Sequence, residues 1–191
     1  MMRIITGSAR GAKLLAPAGE RTRPTAERTK EAVFSMLQQR GFEGRLVLDL
    51  FGGSGQMGLE AVSRGAVRAV IVDSDRAAID VITKNTAHTK LQDRVEVRCA
   101  EALSFLRTYH GAPFHLVFLD PPYDAGLVPK CLSLLLERGL LSVGGTVVCE
   151  TASPDDVFAT DAALAEKFEA LRCTRYGVAH ISVLTPKGES V

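Results

Sequence analysis

From residue 45 onward, short apolar runs alternate with stretches of helical spacing. Leu46–Leu50, Ala69–Asp73, Val95–Cys99, Leu116–Asp120 and Thr146–Glu150 are the strand candidates, each about the length of a strand and shorter than a typical helix. Between them, Ala78, Ile79 and Ile82 make one helical stripe, and Leu132, Leu135 and Leu136 make another. Strands separated by helix-length segments predict βαβ units, hence an α/β fold with a mostly parallel sheet covered on both faces. After Pro154 the pattern predicts a helix through Leu171, then two β-like runs, Thr174–Val178 and Ala179–Leu184. Their close spacing predicts a hairpin, and so an antiparallel strand at the end of the sheet.

Residues 1–44 stand outside that alternation. Arg3–Thr6 and Ala12–Leu15 can pair as a hairpin around Gly7–Gly11. Pro24 and Thr25 precede a helix for which Thr25 is the expected N-cap. Ala32, Val33, Met36 and Leu37 give it an apolar stripe, and Gly41 is placed to stop it. The organisation expected is therefore a structured extension over 1–44 and a second, larger domain over 45–191.

Charge sharpens this division. The whole chain carries a formal net charge of only +1, but residues 1–30 hold seven basic side chains (Arg3, Arg10, Lys13, Arg21, Arg23, Arg28, Lys30) against Glu20 and Glu27. A basic arm on a mildly acidic body is the asymmetry expected where one face meets phosphates. Arg10, Lys13, Arg21 and Arg23 are the arm's candidate phosphate contacts. Composition excludes other classes. No apolar run approaches the ~18 residues of a membrane span, and the N-terminus lacks the continuous apolar stretch of a signal peptide, so a cytoplasmic protein without membrane partner is expected. The four cysteines (Cys99, Cys131, Cys149, Cys173) and four histidines are scattered, with neither C-x-x-C nor H-x-x-x-H spacing; neither a disulfide framework nor a bound metal is expected.

Two segments carry candidate chemistry. In the first, the strand ending at Asp49 runs through Phe51 into Gly53-Ser54-Gly55, with Gly58 completing G-x-G-x-x-G at the start of a helix expected over Met57–Arg64. Asp73 follows Gly53 by 20 residues, at the end of the next strand. Such glycines let backbone approach a nucleotide closely, and the acidic side chain accepts from ribose hydroxyls. Taken alone this admits a dinucleotide. Asp49 argues otherwise, because a carboxylate at the strand mouth repels a pyrophosphate and favours an ammonium or sulfonium.

The second segment is Leu116-Val-Phe-Leu-Asp-Pro-Pro-Tyr123. Pro121 and Pro122 end the strand, since neither can donate to a ladder. Ligands of α/β sheets bind beyond strand C-termini, which is where Asp120 and Tyr123 fall. The loop suits methyl transfer to an exocyclic base amine, a poor nucleophile whose lone pair is delocalised into the ring. The Asp120 carboxylate and the Pro121 carbonyl can accept its two N–H groups and turn the lone pair toward the methyl. Tyr123 offers a flat face for an extruded base.

Asp49-x-Phe51-x-Gly53-Ser54-Gly55 with Asp120-Pro-Pro-Tyr123 resembles the class I methyltransferases of base amines. Arg3-Ile4-Ile5-x-Gly7-x-x-Arg10-Gly11, Thr22-Arg23-Pro24-Thr25, Arg28 and Glu31-Ala32-Val33-Phe34 narrow the likeness to the RsmD family, as do Gly58-Leu59-Glu60-Ala61 and Ser63-Arg64-Gly65-Ala66. The resemblance implies a Rossmann-like seven-stranded sheet, S-adenosyl-L-methionine as donor, and guanine N2 of 16S rRNA as target, within the small ribosomal subunit or its assembly intermediate. It further implies that Asp73 holds the ribose, Asp120 the amine and Tyr123 the base, with Pro122 beside the base and Arg23 and Thr25 near the mouth. Glu101 stands where the family often has an adenine-contacting Asp. Gly52 replaces the usual alanine, and Asp73 the commoner Glu. Competing readings are a DNA adenine or cytosine amino-methyltransferase, which lacks an obvious target-recognition domain here, and a glutamine methyltransferase, where Asn is more typical than Asp120. From another class comes a non-catalytic RNA-binding assembly factor, disfavoured by the joint presence of Asp120, Tyr123 and the glycine loop.

Overall fold

The computed structural model describes residues 2–17, 24–38, 41–122, 126–159 and 161–187, and of 24–28 the backbone alone. The chain falls into two compact units, Met1–Glu101 and Ala102–Val191. In the first, α1 (Pro24–Gln38) precedes β1 (Leu46–Asp49), α2 (Gln56–Ser63), β2 (Arg68–Asp73), α3 (Arg76–His88) and β3 (Val95–Cys99). β1 runs parallel to β2 with Leu48 opposite Val70, and β2 parallel to β3 with Ile71 opposite Val97. Val47, Leu48, Val70, Ile71 and Val72 are all buried, so β1 and β2 have no polar face, as strands covered on both sides require, whereas β3 at the edge carries Glu96 and the exposed Arg98.

The second unit contains α4 (Ala102–Thr108), β4 (Phe114–Leu119), α5 (Leu127–Glu137), β5 (Leu141–Thr151), α6 (Ala162–Lys167), β6 (Phe168–Tyr176) and β7 (Ala179–Pro186). β4 and β5 are parallel, with Val117 opposite Val147. The strands form one seven-stranded sheet in the order β3-β2-β1-β4-β5-β7-β6. The fold is thus a mostly parallel, Rossmann-like α/β sheet with helices between its strands. The expected C-terminal hairpin is present as β6–β7, but β7 inserts beside β5 and is antiparallel to both neighbours, leaving β6 at the edge.

Two local expectations are corrected. The helix expected from Pro154 through Leu171 is confined to Ala162–Lys167, with a 3-10 turn at Pro154–Val157 before it. From Phe168 the chain is strand, because Phe168 is buried and pairs opposite Pro186 of β7; cross-strand packing outweighs the helical preference of the local residues. Thr25 is not an N-cap, since α1 already includes Pro24. Proline suits a first helical turn, where the missing N–H has no partner to lose.

The N-terminal hairpin is reduced to a single antiparallel bridge, Arg3 with Lys13, supported by Ile4 N–H donating to Ala12 (2.9 Å) and Leu14 N–H to Met2 (2.9 Å). What fixes this segment is α2. Glu60 is fully buried, and its carboxylate accepts from the Ile5 and Thr6 N–H groups at 2.8 and 3.0 Å. The same two oxygens receive Lys30 Nζ at 3.2 Å and Arg64 Nε at 2.7 Å. Lys30 also donates to the Arg3 carbonyl at 2.6 Å, and the Arg64 guanidinium lies 4.7 Å over the Phe34 ring. One turn on, Ser63 Oγ donates to the Thr6 carbonyl and accepts from Ala9 N–H. The chain passes so close here that a Cβ on Gly7 (φ 90°) would sit 1.8 Å from the Ser63 carbonyl oxygen. Lys30, counted by sequence among the arm's cations, is therefore committed to a buried ion pair.

A buried carboxylate that satisfies two cations and two amides leaves all of them stranded when removed. Glu60→Ala is expected to lower unfolding stability by about 3–5 kcal/mol, read as the drop in the urea midpoint. A change below about 1 kcal/mol, the scale of a surface pair, would contradict the network's role.

Candidate active site

At the C-terminal end of β1 the chain turns through the glycine loop into α2. Gly53 N–H donates to Asp73 Oδ2 at 2.8 Å, and Asp75 N–H donates to Asp73 Oδ1 at 2.9 Å. Asp73, half-buried at the end of β2, thus ties the loop to the neighbouring strand through both oxygens. A carboxylate has about four lone-pair sites, so each oxygen retains capacity for a hydroxyl donor. Gly55 takes a left-handed φ of 77° and caps α2, its N–H donating to the Gly52 carbonyl at 2.6 Å. Ser54 is buried, and Phe51, three residues before it, is half-buried. Glu101, after β3, is exposed.

Asp49 occupies a different position from that of a simple ligand carboxylate. It is 3% exposed, and its Oδ2 accepts from the Gly58 N–H at 2.9 Å in the first turn of α2. The first amides of a helix lack intrahelical partners, and a negative group there is stabilised by the helix dipole. Burial nevertheless dominates and raises its pKa to about 7; the Gly58 bond works against this, and the nearby Asp73 charge adds to it.

In the second unit, β4 ends at Leu119, and Asp120 follows it as an exposed residue. Pro121 is buried and Pro122 exposed. Tyr123 lies outside the described residues, as do Arg21 and Arg23; of Thr25 only the backbone in α1 is described. Arg10 and Lys13 are exposed on the N-terminal segment.

Sequence reasoning missed Asn85 of α3, which is 1% exposed. Its amide nitrogen donates to the Ser54 carbonyl at 2.8 Å and the Leu15 carbonyl at 2.9 Å, while its oxygen accepts from Leu15 N–H at 2.8 Å. The signal was available: Asn85 continues the Ala78–Ile82 stripe, and a polar residue on a buried face must be partnered. Glu60, between Leu59 and Ala61, carried the same signal.

Residues 2–185 match the family described as Conserved hypothetical protein 95. The Ribosomal RNA small subunit methyltransferase D of Escherichia coli K12 is 37% identical over 150 residues, covering 78% of this chain and 74% of that protein. The chain belongs to the RsmD family. The Ribosomal RNA small subunit methyltransferase D of Haemophilus influenzae is 36% identical over 152 residues, 78% of each chain. The solved structure of yhhF from Escherichia coli superposes with a TM-score of 0.85 at 32% identity, covering 98% of this chain and 99% of that one.

Within the RsmD family the loop's Gly52 has a local reason. A Cβ there would lie 2.6 Å from Ile71 Cγ2 and 2.9 Å from Ile82 Cδ1, so here the two isoleucines fill the space of the usual alanine's methyl. The shorter Asp73 also suffices to reach Gly53. Among the described residues, no helix is long and apolar enough to cross a membrane.

Asp49 makes the ligand-free protein's stability depend on pH in a defined direction. Its carboxyl is protonated in the folded state up to about pH 7, but ionises near its ordinary pKa when unfolded. Between these values the folded state binds the extra proton, so this group's contribution falls as pH rises. Compared with Asp49→Asn, the wild type is expected to lose up to about 4 kcal/mol between pH 4 and pH 8, measured by urea unfolding across that range. Parallel pH profiles for the two proteins would contradict the assignment.

Proposed function

We propose that this chain transfers the methyl group of S-adenosylmethionine to the exocyclic N2 amine of a guanine in 16S rRNA, acting on the small ribosomal subunit or its assembly intermediate. The observation that carries the reading is the Asp73-anchored glycine loop in a member of the RsmD family. The residues present fit this donor. Asp73 already organises the loop and can take further hydroxyl donors, while Asp49, at the mouth of β1, gains from a cationic neighbour what burial costs it. When bound, S-adenosylmethionine supplies an electrophilic methyl group.

Asp73 holds the donor's ribose, and the backbone of Gly53, Ser54 and Gly55 lets the nucleoside approach. Asp49 would face the donor's positive charge, Phe51 would lie on the donor side of the loop and Glu101 would serve the adenine. On the acceptor side, Asp120 and the Pro121 carbonyl take the two amine N–H bonds, aligning the nitrogen lone pair and stabilising the charge that develops on it. Tyr123 and Pro122 bear against the extruded base. Residues 1–44 form the RNA-contacting extension, with Arg10, Lys13, Arg21 and Arg23 on phosphates and Thr25 at the mouth, and 45–191 form the catalytic domain. Lys30 is not among these contacts, because Glu60 holds it in the interior.

Two measurements test this reading. Labelled methyl is expected to pass to small subunits lacking the modification but not to naked DNA or to a glutamine-bearing protein substrate. Asp120→Ala is expected to lower kcat by about 10²–10³-fold, with affinity for S-adenosylhomocysteine retained. Transfer to DNA, or full turnover by the variant, would contradict it. Separately, replacing Arg10, Lys13 and Arg21 by alanine is expected to weaken small-subunit binding and flatten the log-log salt slope by about 0.7–0.9 for each phosphate no longer neutralised. An unchanged slope would remove the arm from the interface.

A further inference from the structure

Asn85 joins two parts of the first unit to which the proposed function gives different tasks. One amide nitrogen holds the carbonyl of Ser54 in the glycine loop, and the same amide holds residue 15 of the basic segment through a reciprocal pair of bonds. No other natural side chain of this length offers both a two-donor nitrogen and an acceptor. Aspartate is isosteric but would turn a carboxylate oxygen toward two carbonyl oxygens. The buried position gives water little access to replace what is lost. Leu15, in contrast, has an exposed side chain, so its part in the contact is made by its backbone.

We propose that Asn85 is a positioning residue for both substrates: it fixes the Ser54 carbonyl, and with it the loop that receives the donor, while anchoring residue 15 so that Arg10 and Lys13 are presented to RNA. The inference rests on the proposed function for the identity of donor and acceptor. It adds a specific division of labour within one amide. The Ser54 bond governs the donor, and the two Leu15 bonds govern the RNA.

Two variants separate these halves. Asn85→Asp disturbs both, whereas Leu15→Pro removes the N–H that donates to Asn85 Oδ1 and sets the ring Cδ against that oxygen, which displaces the exposed segment at residue 15. The Ser54 bond uses an Asn85 amide hydrogen that this change does not touch. The full-length variants are compared with wild type for S-adenosylhomocysteine affinity by calorimetry, and for KM and kcat with unmethylated small subunits. Asn85→Asp is expected to weaken S-adenosylhomocysteine binding tenfold or more and to raise KM for subunits severalfold, with kcat within threefold of wild type. Leu15→Pro is expected to raise KM for subunits while leaving S-adenosylhomocysteine affinity within twofold. A purely structural role would instead lower the active fraction, reducing kcat with KM for subunits and S-adenosylhomocysteine affinity unchanged, and would overturn the proposal. So would an Asn85→Asp protein that binds S-adenosylhomocysteine as wild type does. Should Asn85→Asp fail to fold, Leu15→Pro decides alone: unchanged KM for subunits, or weakened S-adenosylhomocysteine binding, overturns it. Failure of the wild type itself to bind S-adenosylhomocysteine would instead sink the proposed function, and is read in the same titration.

Discussion

A single buried carboxylate organises the first unit. Glu60 sits without solvent contact in the middle of α2, where an ionised group survives only if cations and amides surround it. Lys30, Arg64, Ile5 and Thr6 provide that surrounding, and they come from three local contexts: α1, the C-terminal end of α2 and the N-terminal segment. The requirement to satisfy one charge thereby draws the N-terminal segment and α1 onto the helix that leaves the glycine loop. The extension also buries Ile4, Val33, Phe34 and Leu37, so the charge network sets the position of a segment that hydrophobic burial already holds.

α2 consequently serves two ends. Its first turn stabilises Asp49 through Gly58 and begins at the left-handed Gly55, which sets the loop. Its middle and last turn hold residues 5–9 through Glu60 and Ser63. α3 repeats the arrangement with a neutral group, Asn85, gripping Ser54 and Leu15. The polar residues buried in these helices are the points at which the basic segment and the glycine loop are made parts of one unit. The buried polar residues of the first unit lie mainly in its helices and the glycine loop, while the buried positions of β1 and β2 are apolar apart from Asp49.

Much of this was legible in the sequence. Four of the strands follow from short, nearly uniform apolar runs, because a sheet covered on both faces demands hydrophobicity. The edge strand β3 follows from the alternation Val95-Glu96-Val97-Arg98, and the glycines with Asp73 at their spacing mark the loop. The errors have physical causes. The stretch before Leu171 reads as helix locally, but Phe168 finds a buried position only by pairing with β7. Thr25 has the chemistry of a cap, but Pro24 can occupy a first helical turn itself, and α1 already includes it. The arm's charge count included Lys30, whose commitment to Glu60 depends on a partner 30 residues away, invisible to any local window. Asn85 gives no local signal beyond a polar residue interrupting an apolar stripe, and its partners Ser54 and Leu15 lie 31 and 70 residues away.

The central claim, that this RsmD-family chain methylates a guanine amine of 16S rRNA, is tested most directly by mass mapping of small-subunit rRNA from cells with and without it. The account predicts that one guanine in 16S rRNA loses a single N2 methyl group when the chain is absent and regains it when the chain is restored. Identical maps in the two cells, or a missing methyl group on any other base, would contradict it.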